Sequence, residues 1–278
     1  MPDQRPKWAL GSDQYAKRAR VGAAPSQPSR RHDPHLFEDT GITWDEFDYA
    51  AISTSTVERS RHRFRAALPE LIWNTAALEG NNFTLPEVKT LLEGVTVGGK
   101  KMDDENQIVA LSKAYNRLDE LVGAGKFALT KEVTDELHGL TARHEAIESG
   151  KFRGEGAATG GGNVRLSTGG VVEGTPHGPG GTFLTRHYDD LIRRLSSFQD
   201  ARERALLYFA SATRRQFHFD GNKRTARLMM TGELMAHGFD IVSIPYARQL
   251  EFNNALDTLF STDDATEILR FLTTCTFT

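Results

Sequence analysis

Residues 216–227 read Gln-Phe-His-Phe-Asp-Gly-Asn-Lys-Arg-Thr-Ala-Arg. An acid (Asp220), a glycine (Gly221) and an amide (Asn222) stand immediately before a helical pattern that opens with Lys223, Arg224 and Arg227. Cations at a helix N-terminus oppose the helix dipole, at a cost of about 0.3–1 kcal/mol per charge. A sequence that breaks a local rule so densely marks a site. An anion resolves the conflict, because exposed backbone N–H groups, the dipole and basic side chains all favour a phosphate there. Gly221 lets the backbone approach a ligand closely. Asn222 offers both donor and acceptor. Arg224 and Arg227, three apart, share a helix face.

The elements that must position this stretch are mostly helical. Apolar residues recur at three- and four-residue spacing over 55–79 and 103–122, the second stopped by Gly123 and Gly125. Thr84 is placed to cap a helix with Pro86 and Glu87 in its first turn, and Thr130 opens another. Helical periodicity returns at 183–199 and 201–215, and after the basic stretch from 223 to 236, with Gly238 just past its end. Two further helices run through Phe252–Leu259 and Ile268–Leu272. Between them, Val164, Leu166, Val171 and Val172 flank Thr168-Gly169-Gly170 in a glycine-rich segment, which reads as a small β-hairpin. The expectation is an all-α protein with one hairpin. Met229, Met230 and Met235 read as core filler.

The 278 residues suffice for a full core, and 38% hydrophobic with 26% charged residues is ordinary for a globular protein. The net charge of −3 argues against a general nucleic-acid binder. The single Cys275 excludes an internal disulfide and a cysteine-built zinc cluster. No apolar run reaches membrane-span length and no signal-peptide core is evident at the N-terminus, so a cytoplasmic protein is expected. Residues 1–35 carry five prolines and seven Lys/Arg against three Asp, or +4, which leaves −7 for the remainder. The expected organisation is a flexible basic arm over 1–40, an N-terminal helical region over 41–125, and a core domain over 126–278. The sequence says nothing of oligomeric state.

The 216–227 stretch resembles the signature of the Fic/Doc family, His-Pro-Phe-x-Asp/Glu-Gly-Asn-Gly-Arg-x-x-Arg. Asp220, Gly221, Asn222, Arg224 and Arg227 match it one for one, while Lys223 replaces a glycine, as in the Doc branch. The resemblance implies a Fic-type helical bundle with ATP as cosubstrate. It implies phosphates held by Gly221, Asn222, Lys223, Arg224 and Arg227, with Mg²⁺ on Asp220. Gly150-Lys151-Phe152-Arg153 is similar to the lead into the family's flap. Val164, Arg165 and Leu166 would then lie on the flap hairpin, where a target protein docks in extended pairing. Thr75-Ala-Ala-Leu-Glu79-Gly80 resembles the family's inhibitory motif, Ser/Thr-x-x-x-Glu-Gly/Asn, which implies a Glu79–Arg227 pair blocking the γ-phosphate position.

One departure is decisive. The family's catalytic histidine, which takes a proton from the target hydroxyl so that it can attack the α-phosphate of ATP, falls on Gln216. An amide does not titrate near neutral pH. Loss of general acid–base help is worth about 10²–10⁴-fold. His218, two residues on, lies on the family's phenylalanine position, normally a buried aromatic, and is the one nearby candidate to substitute. His138 and His187 read as surface or core histidines. Three readings stay open: a weak or unusual AMP transferase, a non-catalytic nucleotide-binding module, and a Doc-like phosphotransferase.

Overall fold

The computed structural model describes residues 33–277. Among these are ten α-helices and one two-stranded hairpin. They are α1 (Pro34–Thr40), α2 (Val57–Leu78), α3 (Leu85–Leu92), α4 (Met102–Gly123), α5 (Lys131–Thr141), α6 (Thr182–Leu195), α7 (Ala201–Arg215), α8 (Asn222–Ala236), α9 (Gln249–Thr262) and α10 (Thr266–Thr273). The hairpin strands are β1 (Val164–Arg165) and β2 (Val171–Val172).

Helix α8 is the axis of the fold. Every residue from Arg224 to Met235 is buried, and Met229, Met230 and Met235 sit in the core. A helix buried on all sides belongs at the centre of a bundle, and α7, α5, α4 and α2 all pack against α8. The expected boundaries hold closely because each has a local cause. The Thr56 side chain accepts from Arg59 N at 3.2 Å, Thr130 from Val133 N at 3.3 Å, and Asp200 from Arg202 N at 2.8 Å. The Glu87 carboxylate reaches back to Thr84 N at 2.7 Å, the return half of a capping box.

Two details differ from expectation. Part of the stretch expected to be an arm is ordered: Asp33 caps α1, and Leu36 is buried as α1 packs on α6. Residues 1–32 of that expected arm lie outside the described residues. Helix α6 ends at Leu195 rather than near 199, its last carbonyls taken by a turn through Ser197 and Phe198.

Candidate anion site and flap

Helix α8 starts without a side-chain cap, on Gly221 at φ +71°. A Cβ at Gly221 would lie 2.9 Å from Ala142 Cβ, so only glycine lets α5 approach this closely. The preceding loop is held from both sides. His138 Nδ1 accepts from Gly150 N–H at 2.8 Å; the ring proton is therefore on Nε2, which donates to the Asp220 carbonyl at 2.9 Å. Arg153, almost fully buried, spends its guanidinium on three carbonyls: Gln216 at 2.7 Å, Gly161 at 3.0 Å and Thr175 at 2.7 Å. One side chain thus ties the signature loop to both roots of the hairpin.

Asn222, at the pocket lining, spends its side chain on the loop. Its Oδ1 accepts from His218 N at 2.8 Å, and its Nδ2 donates to His218 O at 2.8 Å and to Gln216 Oε1 at 3.0 Å. The side chain braces the loop, which leaves the backbone to face a ligand. Gln216 lines the pocket in the left-handed region (φ +52°), with Nε2 donating to Thr213 O at 2.7 Å. His218 points the other way. It is buried, stacked on His138 at 3.7 Å between ring centroids, and edge-on to Phe152 at 5.0 Å. Burial, then the Lys131 charge, pushes its pKa down to about 3. Burial, then the neighbouring His218, takes His138 to about 3. His218 cannot take the place of a base on the pocket side.

The cations of α8 all meet carboxylates. Glu79 sits at the C-terminal end of α2, where an acid opposes the dipole, as the α8 cations do at theirs. The two ends face each other, and each offsets the other's misplaced charge. Arg227 Nη2 lies 2.5 Å from Glu79 Oε1, and Lys223 Nζ lies 3.1 Å from Oε2. Burial alone would raise the Glu79 pKa; the charges of Lys223, Arg227 and Arg224 outweigh it and hold the group at about 2. Gly80, at φ +88°, ends α2 as Asn81 N bonds Ala76 O at 3.1 Å, which fixes where Glu79 points. Thr75 contributes twice: its hydroxyl pairs with Tyr115 OH at 2.7 Å, and its carbonyl accepts from Arg227 at 3.4 Å. Arg224 is held end-on by Glu145, at 2.6 and 2.7 Å, a partner in the loop after α5 that no motif announces. Asp220, 61% exposed, lies 3.5 Å from Arg224 and accepts from Gly221 N at 2.5 Å.

These groups surround an open pocket of about 670 Å³, a size suited to a nucleotide-scale ligand. Leu78, Glu79 and Gly80 line one side, residues 219–224 the floor, and Asn253, Leu256, Asp257 and Phe260 of α9 the opposite wall. Val164, Arg165, Leu166 and Ser167 of the hairpin close over it. The strands pair antiparallel, Val164 with Val172 and Arg165 with Val171. Ser167 N donates to both oxygens of Asp257, at 3.2 and 3.0 Å, and the Ser167 hydroxyl donates to the same carboxylate, so the hairpin tip is latched to α9. No histidine is among the lining residues.

A helical domain with a two-stranded flap over an uncapped, arginine-bearing helix N-terminus is the architecture of Fic domains. The structure aligns with Fic-1 (residues 134–508) from C. elegans at TM-score 0.62 and 20% identity, covering 82% of this chain and 64% of that one. It aligns with a Fic domain containing signaling protein from Bacteroides thetaiotaomicron at TM-score 0.64 and 20% identity, covering 82% and 89%. In sequence, the chain is 30% identical over 215 residues to Protein adenylyltransferase Fic of Drosophila grimshawi, covering 74% of this chain and 40% of the relative. The same-named protein of Drosophila ananassae is 28% identical over 242 residues, covering 84% and 46%. The chain spans about half the length of the curated relatives it matches. No family model matches it. The chain is similar in sequence to these Fic proteins over most of its own length, and its fold is that of the Fic-domain structures. No helix among the described residues is long and apolar enough to cross a membrane.

Proposed function

We propose that this chain is an ATP-binding Fic domain of the protein-adenylyltransferase type, blocked by Glu79 and deprived of its general base at Gln216. The observation that carries this reading is the convergence of Lys223, Arg224 and the uncapped α8 N-terminus on one pocket with Gln216 at its edge, and with Arg227 paired to the lining residue Glu79. The phosphates would lie on the 221–227 backbone, with Lys223, Arg224 and Arg227 balancing their charge. Asp220 suits Mg²⁺: it is a single exposed carboxylate beside the phosphate site, and Mg²⁺ takes one or two carboxylates and keeps several waters. When bound, Mg²⁺ would neutralise phosphate charge. A protein target would add a strand along the flap at Val164, Arg165 and Leu166, which brings its hydroxyl over the pocket.

Gln216 can orient that hydroxyl but cannot take its proton, and its amide is already bonded at both ends, to Thr213 and Asn222. AMP transfer by the chain as it stands is therefore slow or nil. The same bonds favour a second reading, a non-catalytic nucleotide-binding module in which Gln216 is part of the loop brace.

Calorimetry with ATP and Mg²⁺ tests the binding step: Arg224→Ala should weaken affinity at least tenfold, and unchanged affinity would remove the assignment. Labelling from α-labelled ATP tests the chemistry. Glu79→Gly alone and Gln216→His alone should stay near background, whereas the double variant should label strongly. Background labelling in a double variant that is folded and binds ATP would favour the non-catalytic reading. Transfer of γ-label would instead favour a Doc-like phosphotransferase.

A further inference from the structure

Arg224 and the inhibitory turn after α2 are joined by an unbroken polar chain that belongs to neither motif. Asn81, two residues past Glu79, donates through Nδ2 to Gln107 Oε1 at 2.9 Å. Gln107 Nε2 donates to Glu145 Oε1 at 3.2 Å. Glu145 then grips both terminal nitrogens of Arg224, whose side chain is 3% exposed. Asn81 is itself fixed: its Nδ2 also donates to the Asp104 carbonyl at 2.9 Å, its Oδ1 accepts from Phe83 N at 3.0 Å, and its own N–H closes the end of α2. The chain therefore crosses from α2 through α4 to the loop after α5 and ends on the guanidinium that lines the pocket.

We propose that Glu145 is a positioning residue that aims Arg224 at the phosphate site, and that Gln107 and Asn81 hold Glu145 in register with the turn that carries Glu79. The inference rests on the reading of 221–227 as a phosphate site. Geometry separates Glu145 from Glu79. Glu79, a lining residue, takes Arg227 and Lys223; Glu145 meets the two terminal nitrogens of Arg224 and is not among the lining residues. A guanidinium has five N–H donors, and an end-on carboxylate uses two of them, so Arg224 retains donors for a phosphate while its plane is fixed. An arginine aimed in advance loses less freedom on binding. Glu145 thus supports anion binding although it is an acid beside an anion site.

The test uses the full chain carrying Glu79→Gly, with ATP and Mg²⁺ affinity measured by calorimetry and folding checked by circular dichroism. Adding Glu145→Gln should weaken ATP about tenfold, and adding Glu145→Asp should weaken it less. Packing alone predicts the reverse order, because glutamine is isosteric with glutamate and aspartate is not. Gln107→Leu, which cuts the chain without touching the pocket, should weaken ATP about threefold. Unchanged or tighter binding in Glu145→Gln, or weaker binding in Glu145→Asp than in Glu145→Gln, would overturn the positioning role. No effect of Gln107→Leu would overturn the register role of the chain. If the Glu79→Gly parent itself binds no ATP, the phosphate-site reading fails and this inference falls with it.

Discussion

Asn222 and His218 show what a signature does and does not disclose about individual residues. Both fall in the most informative stretch of the chain, yet the His218 side chain is buried away from the pocket, and the Asn222 side chain, at the pocket lining, is spent on bonds within the loop. Asn222 makes three hydrogen bonds inside the loop, two of them buried. Asn222→Ala should therefore lower stability by about 2–4 kcal/mol, since it leaves His218 N–H, His218 C=O and Gln216 Oε1 without their partner. Urea unfolding at neutral pH measures this, and a loss below about 1 kcal/mol would mean the brace is dispensable. The basic residues were legible because cations at a helix N-terminus break a dipole preference that needs compensation, whereas Asp220 and Glu79 were legible only as positions of the family motifs. Glu145, Arg153 and the role of His138 were not. Glu145 meets Arg224, 79 residues away, and Arg153 and His138 reach backbone carbonyls as far as 63 and 82 residues away, which carry no side-chain pattern.

At the scale of elements, periodicity and caps located the helices because each cap is a contact within four residues. The flap is different. Two residues per strand cannot stabilise a hairpin in water. Its order depends on tertiary contacts that the sequence does not display, at the root through Arg153 and at the tip through Ser167 with Asp257. Asp257→Asn with Ser167→Ala should leave global stability within about 0.5 kcal/mol, because the latch is exposed. It should nonetheless raise proteolytic cleavage within 160–175 severalfold. Arg153→Leu should raise cleavage too and should also cut stability, by about 2–3 kcal/mol, as three part-buried carbonyls lose their donor. Equal protease sensitivity of the latch variant and the parent chain would show that the tip contact does not hold the flap.

For the molecule as a whole, the buried titratable groups set an acid limit in two stages. His138 and His218 are neutral in the fold, with pKa values pushed to about 3 from an ordinary 6.5. The unfolded chain binds their protons first as pH falls, so their contribution is intact above about 6.5 and is lost progressively down to about 3. Glu79 is charged in the fold, held at about 2 from an ordinary 4.5. Its contribution is intact above about 4.5 and is lost between there and about 2. Stability should therefore begin to fall below pH 6.5 and fall more steeply below 4.5. His218→Phe separates the stages. It keeps an aromatic ring against His138 and Phe152 and removes a buried Nε2 that has no hydrogen-bond partner. Stability at pH 7 should be kept within about 1 kcal/mol, and the decline between pH 6.5 and 4.5 should be about halved, because one of two suppressed protonations is gone. Glu79→Gly should lower stability at pH 7, leaving Arg227 buried opposite no carboxylate, and should flatten only the stage below 4.5. Added ATP with Mg²⁺ should restore part of that loss at pH 7, as phosphate takes over the role of the carboxylate. Urea titrations of the three proteins at pH 7, 5.5 and 4 decide the matter. A parent chain equally stable at pH 7 and 5.5 would mean that the stacked histidines accept a proton without cost, and the buried, neutral assignment of the pair would be wrong.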